Sequence, residues 1–259
     1  MKRLLRGGIG AVAVFAILAT AGCKERDRII MADPPPFVVE GVRSITGDLE
    51  VTIRWRANQE FDIAYYAVYR NDVAPTGTYH LIGTSTGTSY VDHTVSNGST
   101  YYYAVAAVDD AGQESPELSY ENVFDTPRPE GFNETMTNAL SNDATSGWDF
   151  SFYGNRPSLD AATDVYYEYE NGHYLIFVPS DTKVQDAGFV TLRDVDYAPP
   201  AGWSADGVVE AIVGHSYVFY TRNAHYAKIE VKTRGTGGIT FDWAYQIDPD
   251  NPELARRIP

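Results

Sequence analysis

The sequence predicts an all-β chain, a two-sheet sandwich followed by a second, mostly antiparallel β domain. Three observations carry this. Aromatic and β-branched residues alternate with polar ones along much of the chain, the period of a strand that buries one face. The 259 residues include 19 Tyr, 22 Gly and 14 Pro, a composition of short strands joined by turns. Turn chemistry recurs between the alternating runs, at Asn97-Gly98, Asp109-Asp110-Ala111-Gly112, Asn171-Gly172 and Gly235-Thr236-Gly237-Gly238. With 44% hydrophobic and 21% charged residues, the chain is apolar enough to fold and long enough for about two domains.

The N-terminus reads as an address and an anchor. Lys2, Arg3 and Arg6 precede an uncharged, mainly apolar run from Ile9 to Ala21, too short to span a bilayer comfortably. That pattern describes a secretory signal peptide over 1–22. Thr20-Ala21-Gly22-Cys23 resembles a bacterial lipobox, which implies lipidation of Cys23 and a membrane held through acyl chains. Lys24 stands where an inner-membrane retention signal would carry Asp, so the resemblance implies an outer-membrane lipoprotein of the bacterial cell envelope. Cys23 is the only cysteine, so its lipidation would leave no disulfide, thiolate metal site or thiol nucleophile.

Charge narrows the partners. The formal net charge is −15, and removing residues 1–22 leaves 17 basic against 35 acidic residues, a net of −18. Phosphate backbones and anionic lipid surfaces are held by clustered Lys and Arg, so no nucleic-acid partner and no polybasic membrane contact is expected. The expected partner besides the membrane is an extracellular or periplasmic ligand, whether protein, glycan or haem.

Residues 23–32 read as a polar linker, and Pro34-Pro35-Pro36 favours an extended spacer. Thr126-Pro127-Arg128-Pro129-Glu130-Gly131 then separates a domain of 33–127 from one of 128–259. Both are acidic, with 4 basic and 14 acidic residues in the first and 10 and 19 in the second. In the first, Val51, Ile53 and Trp55 share one strand face, and Tyr66 with Val68 and the run Tyr101, Tyr103, Val105, Ala107 repeat the period. About seven short strands at this spacing describe a sandwich. Trp55, the stretch Tyr66-Ala67-Val68-Tyr69-Arg70 and the run from Gly98 to Asp109, followed by Gly112-Gln113-Glu114-Ser115, resemble a fibronectin type III domain. The resemblance implies a core of Trp55, Tyr66, Val68, Tyr103 and Val105, with Tyr101 as the corner tyrosine. No Arg-Gly-Asp triplet is present.

In the second domain, Val165–Tyr169 and Tyr174–Val178 flank the hairpin signal Asn171-Gly172. Residues 216–222, 226–234 and 239–247 form a meander. In its middle strand Ala227, Ile229 and Val231 oppose Lys228, Glu230 and Lys232, which predicts one buried and one wet face. Residues 181–207 read as long connections, where binding sites tend to sit. The stretches from Tyr217 to Arg222, Tyr226 to Ile229 and Gly238 to Tyr245, together with Gly147-Trp148-Asp149-Phe150, are similar to the HmuY family of bacterial lipoproteins. Some members of that family bind haem, which makes haem an alternative ligand.

The imidazoles available to haem or another metal in this domain are His173, His215 and His225, each beside a turn or a strand start. His80 and His93 lie in the first domain. Asp194 with Asp196, and Asp248 with Asp250 and Asn251, offer oxygen ligands for calcium but complete no loop pattern. Trp203 and Tyr197, among Pro199, Pro200 and Gly202, are aromatics that could stack on a sugar or a partner chain, or pin the loop to the core. No GxSxG, HExxH, phosphate-loop or Rossmann pattern occurs, so no enzyme and no catalytic residue is expected. The leading expectation is a non-catalytic cell-envelope binding or display module. Haem binding through the second domain and a carbohydrate-binding accessory role through Trp203 are the alternatives.

Overall fold

Alternation builds the first sandwich. In the computed structural model, which describes residues 33–119, 121 and 123–255, seven strands form its two sheets. They are β1 (Arg43–Thr46), β2 (Val51–Arg54), β3 (Ile63–Asn71), β4 (His80–Ser85), β5 (Ser89–Asp92), β6 (Tyr101–Asp109) and β7 (Val123–Asp125). One sheet runs β1-β2-β5 and the other β4-β3-β6-β7, antiparallel throughout. This is the three-on-four arrangement of a fibronectin type III sandwich. Val51, Ile53, Trp55, Tyr66, Val68, Tyr103 and Val105 meet in one apolar core. The Trp55 and Tyr66 rings pack at 5.3 Å. Trp55 lies one residue beyond β2, yet its N–H still donates to Thr88 O at 3.2 Å. The Tyr101 hydroxyl accepts the Ser96 N–H at 2.9 Å, which closes the corner.

The second sandwich continues with β8 (Glu130–Thr137), β9 (Gly147–Asp149), β10 (Gly154–Arg156), β11 (Val165–Glu170), β12 (His173–Phe177), β13 (Lys183–Gly188), β14 (Val208–Glu210), β15 (Ser216–Tyr220), β16 (Tyr226–Gly235) and β17 (Gly238–Tyr245). Its antiparallel sheets run β10-β9-β11-β12-β14 and β13-β15-β16-β17-β8. The Asn171-Gly172 turn is the tight one expected, since Glu170 pairs with His173 and both central residues have positive φ, 51° and 89°. Trp148, Phe150, Tyr167 and Ile176 from one sheet interleave with Tyr217, Phe219, Ile229, Phe241 and Trp243 from the other. Trp148 meets Phe241 edge-on at 5.2 Å. Within the stretch read as long connections, residues 183–188 instead form β13, an edge strand paired with β15.

The wet face expected on β16 is covered at Lys228 and Glu230, while Lys232 stays exposed. Lys228 is 0% and Glu230 9% exposed. A strap over residues 189–203, regular only in the 3-10 turn Leu192–Asp194, lies across that face with the tail at 252–255. Val195, Ala198, Val218 and Leu254 form a small third core there, against which Val190, Trp203 and Tyr226 pack. Alternation alone cannot reveal such a cover, because strap and tail come from elsewhere in the chain.

The junction is also buried rather than an exposed tether. Thr126, Pro127, Arg128 and Pro129 are all buried. Arg128 N–H donates to Gly47 O at 3.0 Å, and Gly98 N–H to Pro127 O at 2.8 Å. The Arg128 side chain reaches Leu254 O with Nε and Glu130 Oε2 with a terminal nitrogen at 3.0 Å.

Candidate functional site

The end of β12, the start of β13 and the end of the strap enclose a groove of about 610 Å³. Trp203 supplies its aromatic wall, with Ser180, Thr182, Lys183, Ser204 and Asp206 among its polar lining. The local fold follows from a few contacts. Ser204 N–H donates to Val184 O at 2.8 Å, and Ser204 Oγ donates to Val208 O at 2.8 Å, so the residue after Trp203 is tied to β13 and to the start of β14. Gly202 takes φ of 92° and packs under the Gln185 amide, where a Cβ would meet Nε2 at 3.0 Å. The Lys183 ammonium sits 5.3 Å from the Tyr220 ring centroid. Thr182 is buried, and its Oγ1 has no hydrogen-bond partner among the described residues. The groove therefore offers an indole surface, two opposite charges and hydroxyls, the inventory that stacks on and hydrogen-bonds to a small polar ligand.

The other expected residues are scattered. Tyr197, 49% exposed, bridges to Glu253 and does not line the groove. His173 is exposed at the start of β12. His225 Nδ1 lies 3.0 Å from Gln246 O; a carbonyl only accepts, so Nδ1 carries the proton and Nε2 the lone pair in the neutral ring. His215 Nδ1 lies 3.0 Å from both oxygens of Asp186, with the exposed Phe189 ring edge-on at 6.2 Å. Asp194 accepts from Thr191 Oγ1, Asp250 from the Tyr220 hydroxyl and Asp248 from Asn251 Nδ2, so these acids close local turns and contacts. Among the described residues no group of three or more His, Cys, Asp or Glu is placed to hold a metal. Cys23 lies outside the described residues.

Folding also makes features that the sequence hides. A groove of about 770 Å³ runs along the first sandwich between Pro34–Val38 and Ala57–Glu60, with Pro116 on its wall. In the turn from β9 to β10, Asp149 Oδ1 accepts from Ser151 N, Ser151 Oγ and Phe152 N at 2.7–3.1 Å, and the turn presents Phe152 and Tyr153 to solvent. Asp164, buried beside Asp149, is pushed above the usual carboxylate range by burial although Arg222 contacts it at 3.0 Å. No spacing rule pairs residues that meet across two sheets.

No family model matches the chain. A stretch of 112 residues, 43% of the chain, is 34% identical to an amylopullulanase of Thermoanaerobacterium saccharolyticum, and the chain covers 8% of the length of that protein. Among solved structures, an Fn3-like protein from Clostridium thermocellum matches at 27% identity and TM-score 0.31, over 38% of this chain and 100% of that one. A β-1,2-glucanase from Parabacteroides distasonis matches at 28% identity and TM-score 0.32, over 38% of this chain and 13% of that one. A DUF4466 family protein from Parabacteroides merdae matches at 11% identity and TM-score 0.40, over 82% of this chain and 99% of that one.

Proposed function

We propose that the chain is a non-catalytic cell-envelope lipoprotein, lipidated at Cys23 and held on the outer membrane, whose second domain is HmuY-like and binds a saccharide at the Trp203 groove. The observation that carries the ligand reading is the half-buried indole of Trp203 set in a groove with Ser180, Lys183, Ser204 and Asp206. A sugar ring presents C–H groups on its faces and hydroxyls on its rim, and this lining matches both. The amylopullulanase match adds support, since that protein is named for action on glycans. The first sandwich then acts as a spacer between anchor and groove. A glycan array followed by titration of the positive oligosaccharides tests the reading. Trp203→Ala is expected to weaken binding at least about tenfold, the scale of losing one stacked ring, in a protein whose circular-dichroism spectrum stays native. An array with no positive glycan sinks the saccharide reading. Cys23→Ser is expected to abolish metabolic acyl labelling and release the protein in soluble form.

A second reading, haem, has one favourable observation. Asp186 orients His215 through Nδ1 and leaves Nε2 for an iron, with the exposed Phe189 ring beside the imidazole. A Soret titration that saturates in wild type and fails in His215→Ala, with His173→Ala and His225→Ala unchanged, would replace the saccharide by haem.

A further inference from the structure

We infer that Lys228 is the latch that sets the position of Trp203: its buried ammonium, on the covered face of the β13-β15-β16-β17-β8 sheet, ties down the strap that carries the groove's aromatic wall. The inference rests on the Trp203 groove being the ligand contact.

A strap with a single 3-10 turn satisfies little of its own backbone, so its other buried N–H and C=O groups need partners from elsewhere. The sheet supplies them from the polar residues of its alternating pattern. Ser216 Oγ donates to Val190 O at 2.7 Å, Glu230 Oε2 accepts Leu192 N–H at 2.8 Å, and Lys228 Nζ donates to Val195 O at 2.9 Å. Of these three anchors, Lys228 grips the strap nearest to Trp203. Val195 also points its side chain into the small core with Ala198, Val218 and Leu254, on which Trp203 packs. Val218 is the cross-strand partner of Lys228. The ammonium therefore bonds the backbone of one residue that supports the indole and sits beside another. The tail closes the same region, with Ala198 N–H on Pro252 O at 2.8 Å and Leu254 N–H on Asp196 O at 2.7 Å.

Stability alone does not account for a lysine here. Burial drives its ammonium well below the usual lysine range, with Arg128 and Arg193 acting in the same direction and Glu130 and Asp196 against it. A buried ion costs free energy that an apolar side chain of similar volume avoids. What the side-chain nitrogen adds is a directed N–H donor that selects one strap position.

The protein carries its own probe. Of the four tryptophans, Trp55, Trp148 and Trp243 are at most 6% exposed, so acrylamide quenching reports mainly Trp203. In the full-length protein, Lys228→Met keeps the apolar stem and removes the donor. It is expected to raise the quenching constant about twofold and to speed amide exchange at Ala198 and Leu254 about tenfold, with Ile229 and Phe241 unchanged. Ser216→Ala, which frees the far end of the strap, is expected to leave quenching as in wild type. Unchanged quenching and exchange in Lys228→Met overturn the latch. Should that variant fail to fold, Lys228→Arg, which keeps a buried charged donor, decides: wild-type quenching supports the latch, and raised quenching overturns it. None of these measurements needs a ligand. A strap that loosens as expected on a protein that binds no glycan therefore sinks the saccharide reading and leaves the latch standing.

Discussion

Asp92 shows how much one residue organises. Its carboxylate is 1% exposed and accepts from Arg70, Thr94 and Tyr103 at 2.7–3.1 Å. Burial alone would raise its pKa, but hydrogen bonds from Thr94 and the Arg70 guanidinium outweigh that and hold it below the usual carboxylate range. A depressed carboxylate contributes stability above its unfolded pKa of about 3.9, and that stability is lost as pH falls through the lower folded value. Urea unfolding is therefore expected to show a steeper acid loss in wild type than in Asp92→Asn. Near neutral pH the variant should already be about 3 kcal/mol less stable, since Arg70 loses its buried partner. Parallel pH profiles would refute this account. Sequence alternation made the Tyr103 ring legible as core but not the carboxylate that its hydroxyl finds, because Asp92 sits on the opposite sheet.

Individual strands and turns divide in the same way. The β11–β12 hairpin was legible because Asn171-Gly172 is local chemistry: both residues must take positive φ, and no tertiary contact is needed to say so. Gly172→Ala is expected to cost only about 1 kcal/mol, since nothing lies within 4 Å of the added Cβ and only backbone strain opposes it. Gly238→Ala should cost more, about 3 kcal/mol, because its Cβ would collide with the Met136 carbonyl on neighbouring β8. Thermal unfolding of the two variants checks the order; equal shifts would mean that β17 and β8 are not held at that distance. Short strands β9, β10 and β14, three residues each, carry too little periodicity to be read beforehand. The face of β16 was misread for the related reason that period two tells which residues share a side, not what lies over it.

Taken whole, the chain couples its two sandwiches through a buried junction. Arg128 bonds to Gly47 on one side and to Leu254 on the other, and Gly98 packs against Ile247. Calorimetry is expected to give one transition for the wild type and two for Ile247→Asp, which places a charge in that contact. Two transitions in the wild type would mean that the junction does not transmit stability. The Pro-rich composition of Thr126–Gly131 gives no sign that Thr126, Pro127, Arg128 and Pro129 are buried.

Strand class, the tight turns, the apolar face of each main strand and the candidacy of Trp203 all follow from short-range rules, since they depend on neighbours a few residues apart. Sheet order, the strap over β16, the buried Lys228 and Arg128, and the groove that gives Trp203 its polar company depend on residues brought together from distant parts of the chain. Tertiary packing decides those, because a side chain's burial and hydrogen-bond partners are properties of what folds against it.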